Sequence, residues 1–190
     1  MAFPVFFDTC ALFGGTLNDT FLRLAEVGAY RILWSEDVLV ELERNLARRV
    51  GPEAAARRVS AMRTAFPDAS VVDYEDLVVS MTCDPKDRHV LAAAVRGQAE
   101  VLVTMNTKDF PASSVDPHSL TVVHPDDFLL DQLDLHPSRV RLALVGQVVD
   151  GSRPPLTMSR LLGILERSAV PRFATEARRR DFQVTQDSDD

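Results

Sequence analysis

The chain predicts an α/β fold: a central, mostly parallel sheet flanked by helices, with further C-terminal helices after it. Three observations carry that prediction. Short apolar runs alternate with stretches of helical period across residues 1 to 130, the pattern of a sheet covered on both faces. From about residue 136 the alternation stops, and three helical stretches follow with no strand between them. With 190 residues, 46% hydrophobic and 26% charged, the chain can bury a core without covalent staples.

The elements follow in order. "FPVFFD" is a buried strand with Asp8 at its C-terminal end. Leu17, Phe21, Leu24 and Ala25 then fall at helical spacing, and Gly28 is their stop. "RILWS" is the second strand, and Ser35 caps "EDVLVELERNLARRV", whose Val38, Leu39, Leu42 and Leu46 form one apolar stripe. Gly51-Pro52 breaks the chain before another helix that ends at Pro67. "ASVVDY" reads as a brief extended segment. "DPKDRHVLAAAV" opens a helix that Gly97 ends, and "EVLVTMN" is the most strand-like run present. A loop with Asn106, Asp109, Phe110 and Pro111 leads to the strand "LTVVHP" and the helix "DDFLLDQL". "PSRVRLALVGQVVDG", "LTMSRLLGILERSAV" and "RFATEARRRDF" make the helical extension. The acidic end, "QVTQDSDD", reads as disordered.

Composition narrows the function classes. The net charge of −7 argues against a protein that binds nucleic acid through its overall field, yet leaves room for an enzyme with an acidic site. The two cysteines, Cys10 and Cys83, form no CxxC pair and no disulfide framework, which points to a reduced, cytoplasmic setting. No apolar stretch has the length of a membrane span, and "MAFPVFFDTC" lacks the features of a signal peptide. No Gly-rich phosphate loop and no paired-histidine metal motif is present.

The chemistry lies in the acidic residues. In an open parallel sheet, ligands bind beyond the carboxyl ends of the strands. Asp8 stands at such an end, and Asn106 and Asp109 follow another. Asp84 and Asp87 precede the helix that leads into that strand, and Glu41 and Glu43 lie on the helix after the second. Carboxylates gathered within a few ångströms must take up protons or bind a cation. Mg²⁺ suits such a set, and sites of this kind cleave phosphodiesters with a metal-activated water. Each residue also has a plainer use. Asp8 can bond local backbone N–H groups, and Asp84 can cap a helix with Pro85 in its first turn. Asp87 can reach back in the manner of a capping box. Glu41 or Glu43 can be a solvated surface acid, and periodicity does not choose between them. Asn106 and Asp109 can serve the turn.

The order of these segments resembles the PIN-domain ribonucleases, in particular the VapC-type toxins of toxin–antitoxin pairs. "VFFDTCAL" at 5–12, "WSEDVLVELERNL" at 34–46, "DPKDRHVLAAAV" at 84–95 and "VLVTMNTKDFP" at 101–111 carry the resemblance, which covers roughly residues 3 to 130. It implies a PIN-like three-layer fold, with a nuclease domain over residues 1–133, a helical extension over 134–182 and a tail at 183–190. It implies metal binding and catalysis by Asp8, Glu41, Asp87 and Asp109, with Asn106 the other candidate for the fourth position. Thr104 supports the cluster or the phosphate, and Asp84 is a cap or outer helper.

A Mg²⁺- or Mn²⁺-dependent endoribonuclease is the function so implied, with RNA as substrate, an antitoxin protein as partner and a homodimer as the assembly. Candidates for contact with RNA are Arg44, Arg48 and Arg88. Arg49, Arg57, Arg58 and Arg63 and the run Arg178, Arg179 and Arg180 are further basic groups, although charge runs are usually solvated faces. The alternative function is a catalytically inactive PIN-like interaction module whose acidic edge binds a basic partner. A phosphotransferase of the haloacid-dehalogenase type is disfavoured, because that family wants an aspartate where this chain has Cys10.

Overall fold

The structure, a computed structural model, describes residues 2–151, 155–180 and 182, so the expected tail at 183–190 lies outside the described residues. In chain order the elements are β1 (Pro4–Phe7), α1 (Thr9–Leu12), α2 (Gly15–Glu26), β2 (Arg31–Ser35), α3 (Glu36–Val50), α4 (Pro52–Ala65), β3 (Ser70–Val71) and α5 (Glu75–Val78). After these come α6 (Arg88–Arg96), β4 (Val101–Val103), α7 (Ala112–Val115), β5 (Thr121–Val123), α8 (Pro125–Leu135), α9 (Pro137–Asp150), α10 (Met158–Arg167) and α11 (Pro171–Arg179). They form two compact units: Met1–Phe13 with Tyr30–His124, and Gly14–Ala29 with Pro125–Asp190, each taken over its described residues.

The first unit holds a five-stranded sheet in the order β3-β2-β1-β4-β5, with every pairing parallel. Its strands are nearly continuous apolar runs, as strands covered on both faces must be. Val5, Phe6, Phe7, Leu102 and Val103 are fully buried. The chain walks outward from β1 through β2 to β3, then crosses back to β4 and continues to β5. Right-handed crossovers therefore lay α3 and α4 over one face and α5 and α6 over the other, a three-layer arrangement. Both α3 and α6 pack on β2. Strand order reverses between β1 and β4, and the crevice beyond their carboxyl ends is where such sheets bind ligands.

Local chemistry sets the helix boundaries. Ser35 ends β2 and starts α3, its hydroxyl accepting the Val38 N–H at 3.3 Å. Gly51 joins α3 to α4 at φ +87°, a conformation that side chains disfavour. Gly97 follows α6 where the helix comes close to the sheet: a Cβ there would lie 2.8 Å from Val71 Cγ2 and 3.1 Å from Leu33 Cδ1. The segment "ASVVDY" yields only a two-residue strand, because Asp73 turns out of it with φ +57°.

The second unit is helical. α2 packs on α9, α8 packs on α11, and α10 touches α2, α9 and α11. Leu129, Leu133, Val140, Leu144, Leu161, Leu165 and Phe173 fill its core. Two buried polar groups are satisfied inside it. The Gln147 amide accepts from Thr20 Oγ1 and donates to the Thr16 carbonyl, each at 2.9 Å. The Asp126 carboxylate accepts the N–H groups of Arg172 at 3.2 Å and Phe173 at 2.8 Å, thereby capping the N-terminus of α11.

Candidate functional site

Asp8 leaves β1 at the reversal point, and its backbone N–H extends the ladder to Val103 O at 3.1 Å. The residue is 7% exposed and its side chain is tightly held. Its Oδ2 accepts from Thr104 Oγ1 at 2.7 Å and from the Cys10 thiol at 3.0 Å. Thr104, just beyond β4, accepts the Asn106 N–H at 3.1 Å, and Cys10 Sγ accepts the Met105 N–H at 3.2 Å. Both donors thus lie on one side of the carboxylate and tie the two central strand ends together. Burial first, then the adjacent Asp8 charge, pushes the Cys10 thiol up to about 12, so it stays a neutral donor.

Glu41 arrives from α3. The Thr9 hydroxyl lies 3.1 Å from Glu41 Oε2 and 3.3 Å from the Val38 carbonyl, so its proton is shared between them. Glu41 lines the cleft with Asp8, Thr9 and Cys10, and Glu43 does not. Asn45 and Arg48, four and seven residues on, share that helix face and also line it. Arg44 approaches Glu41 only to 4.0 Å and is itself mostly exposed.

The two aspartates before α6 separate in role. Asp84 Oδ1 accepts the Lys86 N–H at 3.1 Å and so starts the 3₁₀ turn Pro85–Asp87. Asp87 sits at the N-cap position of α6 but makes no side-chain capping bond. Its Oδ2 is buried with no hydrogen-bond partner, and Lys86 Nζ stands 3.7 Å away. Burial pushes the Asp87 carboxyl up to about 6. Lys86 pulls against that rise, while Asp8, Asp109 and Asp84 add to it. Lys86 binds Asp109 Oδ2 more closely, at 3.0 Å, and its ammonium pKa is raised chiefly by that bond.

Asp8, Glu41, Asp87 and Asn106 therefore border one cleft of about 530 Å³, together with Phe13 and Lys86. Asp84 and Asp109 do not line it. The carboxylates face a common space without converging: among the described residues no three His, Cys, Asp or Glu side chains are close enough to hold an ion as placed. The donor set still fits a hard divalent cation. It is made of oxygens, and one of them, Asp87 Oδ2, is buried without a proton donor.

Residues 4–108, more than half of the chain, match the family described as PIN domain. The chain belongs to the PIN-domain family. Residues 125–179 match a second family, the VapC50 C-terminal domain. A relative named "Putative ribonuclease VapC50", from Mycobacterium tuberculosis, is 44% identical over 126 residues, which is 66% of this chain and 72% of the relative. No solved structure matches the chain.

Within this PIN domain the motif residues from four distant segments reach one sheet edge, whereas most of the expected basic groups do not. Arg88 opens α6 and does not line the cleft, and its Nε is buried and lacks a hydrogen-bond partner. Arg58 donates to the carbonyls of Leu12 and Phe13, Arg49 stacks over Phe13, and Arg57 and Arg63 pair with Glu53 and Glu36. Arg178, Arg179 and Arg180 pair with Glu166, Glu176 and Asp134. Besides Phe13, the cleft residues that sequence reasoning missed are Thr9, Cys10, Asn45 and Lys86, and for these four a signal existed. The signal for each was adjacency: two follow Asp8, one follows Glu41 by a helical turn, and one lies between Asp84 and Asp87. No helix among the described residues is long and apolar enough to cross a membrane.

Proposed function

We propose that the chain is a VapC-type endoribonuclease, the toxin of a toxin–antitoxin pair, which hydrolyses RNA phosphodiesters with a divalent ion held by Asp8, Glu41 and Asp87. One observation carries the assignment of the site. Asp87, one of whose oxygens is buried without a hydrogen-bond partner, borders a cleft shared with Asp8 and Glu41, at the point where strand order reverses. PIN-domain nucleases of this type are generally divalent-metal dependent. Mg²⁺ or Mn²⁺ suits the oxygen donors here, and when bound it would supply an activated water and offset phosphate charge.

The protein's own residues do the positioning. Thr104 and Cys10 occupy Oδ2 of Asp8, which leaves Oδ1 as the oxygen free to bind an ion. Thr9 fixes Glu41 in the same way through Oε2. Of the two candidates for the fourth position, Asn106 borders the cleft whereas Asp109 stands behind Lys86, which favours Asn106. Arg48 lies in the cleft wall and forms no ion pair among the described residues, so it is favoured over Arg44 and Arg88 for contact with RNA phosphates. The antitoxin would close the cleft with a basic side chain set among the carboxylates. A homodimer is the proposed assembly, with residues 1–133 as the nuclease domain and the helices after them as support for packing or partner contact.

Calorimetry with Mg²⁺ and Mn²⁺, run beside cleavage of labelled RNA, tests the proposal. Binding and cleavage by the parent, both lost in Asp8→Asn at equal metal, support it. A parent that neither binds metal nor cleaves RNA would be the inactive interaction module instead.

A further inference from the structure

We propose that Lys86 contacts the substrate: its ammonium group, anchored by Asp109 at the cleft, engages an RNA phosphate, and Asp109 acts as that anchor and not as a metal ligand. The role rests on the cleft being a nuclease site. Lys86 borders the cleft and Asp109 does not. The lysine side chain is 63% exposed against 24% for Asp109, so the cation faces outward and the carboxylate lies behind it. The bond of 3.0 Å between them is held from the backbone as well, since the Asp84 N–H donates to the Asp109 carbonyl at 3.3 Å. That contact joins the turn carrying Lys86 to the turn after β4, which fixes where the ammonium can sit.

The chemistry of the group points the same way. An ammonium has three N–H donors, and Asp109 takes one. Asp87 Oδ2, at 3.7 Å, is beyond hydrogen-bond distance. Two donors therefore remain for an anion arriving at the cleft. An exposed ion pair is worth little, so redirecting part of it toward a phosphate costs little. A divalent ion seated beside Asp87 would repel the ammonium from that carboxylate and leave it to Asp109 and the substrate. In a chain of net charge −7, Lys86 and Arg48 are the two cations that line this cleft, and a polyanionic substrate needs such positioning charges.

The test uses the full chain and three variants, Lys86→Ala, Lys86→Arg and Asp109→Asn. Mn²⁺ binding is followed by calorimetry. Binding of a fluorescein-labelled single-stranded RNA is followed by anisotropy in Ca²⁺ over a range of salt. Lys86→Ala is expected to weaken RNA binding about fivefold and to lower the salt slope by roughly 0.7, the value for one phosphate contact on a single strand. Lys86→Arg should restore both, because it restores the charge. Mn²⁺ affinity should be unchanged or higher in Lys86→Ala and retained in Asp109→Asn. An unchanged salt slope in Lys86→Ala overturns the substrate contact, and loss of Mn²⁺ binding in Asp109→Asn overturns the anchor. If the parent itself binds no Mn²⁺, the metal assignment fails separately, and the salt slope still decides the role of Lys86.

Discussion

Thr104 Oγ1 donates to Asp8 Oδ2 across 2.7 Å, joining residues that stand just past the ends of the two central strands. Thr104 is fully buried, and its oxygen also accepts the Asn106 N–H. Replacement by valine keeps the shape and removes both bonds. Hydrogen bonds to charged groups are worth more than neutral ones, so Thr104→Val should lose about 2 kcal/mol of unfolding free energy in urea. Thr104→Ser, which keeps the hydroxyl, should lose well under half of that. Equal losses in the two variants would show that the methyl group, and not the bond, matters.

Glu41 and Glu43 supply an internal comparison, because they lie on the same helix two residues apart and only Glu41 borders the cleft. Glu41→Gln should reduce RNA cleavage roughly a hundredfold at fixed metal, in the range seen when groups that hold or orient a catalytic ion are changed. Glu43→Gln should cleave like the parent. Initial rates on one RNA at matched Mn²⁺ decide between them, and similar losses in both would remove Glu41 from the site.

Asp87 sets a pH dependence whose sign is fixed by the direction of its shift. Its carboxyl titrates near 6 in the fold, against about 4 when unfolded. Between those values the native state binds more protons than the unfolded chain. The contribution of Asp87 to metal-free stability is therefore greatest in acid and falls as pH rises through that window. Asp87→Asn should flatten this part of the stability profile and raise the metal-free melting temperature at pH near 7.5. Metal binding runs the other way, since protons compete for the same oxygen. Mn²⁺ affinity should fall by up to about tenfold per pH unit below 6 in the parent. A metal affinity constant from pH 7.5 down to 5 would exclude Asp87 as a ligand.

The sheet was legible because burial on both faces writes itself as uninterrupted apolar runs, and Ser35 and Gly97 marked real helix ends. Asp8 was legible as the polar residue closing the first such run. Helix-start signals did not separate Asp84 from Asp87, since both fit them. The family resemblance did, giving Asp84 as a cap or outer helper and Asp87 as a ligand, and in the structure Asp84 makes the capping bond while Asp87 Oδ2 has no hydrogen-bond partner. Asp109 stood out as an acid, but its engagement by Lys86, 23 positions away, has no periodic trace. Periodicity likewise showed that α2 buries one face without showing what covers it. Gly14–Ala29 clusters with the helices from Pro125 onward, a partnership between segments about a hundred residues apart. The one-turn helices α1, α5 and α7 are too short to carry a period at all.

That helical unit offers a test of its own. α11 begins at Pro171 after Val170, which has no side chain able to cap it, yet its first turn is satisfied. Asp126 of α8 supplies the missing acceptor, with one oxygen on the Arg172 N–H and the other on the Phe173 N–H. Asp126 is 5% exposed and Phe173 is fully buried, so the Phe173 N–H has little access to water if the carboxylate is removed. Asp126→Ala should therefore cost about 2 kcal/mol, the upper end for loss of a helix cap, because the buried Phe173 N–H and the part-buried Arg172 N–H lose their partner together. Asp126→Asn keeps one acceptor oxygen and should recover roughly half of the loss. Urea unfolding followed by circular dichroism measures both, and an alanine variant as stable as the parent would mean that α11 is held by its apolar face alone.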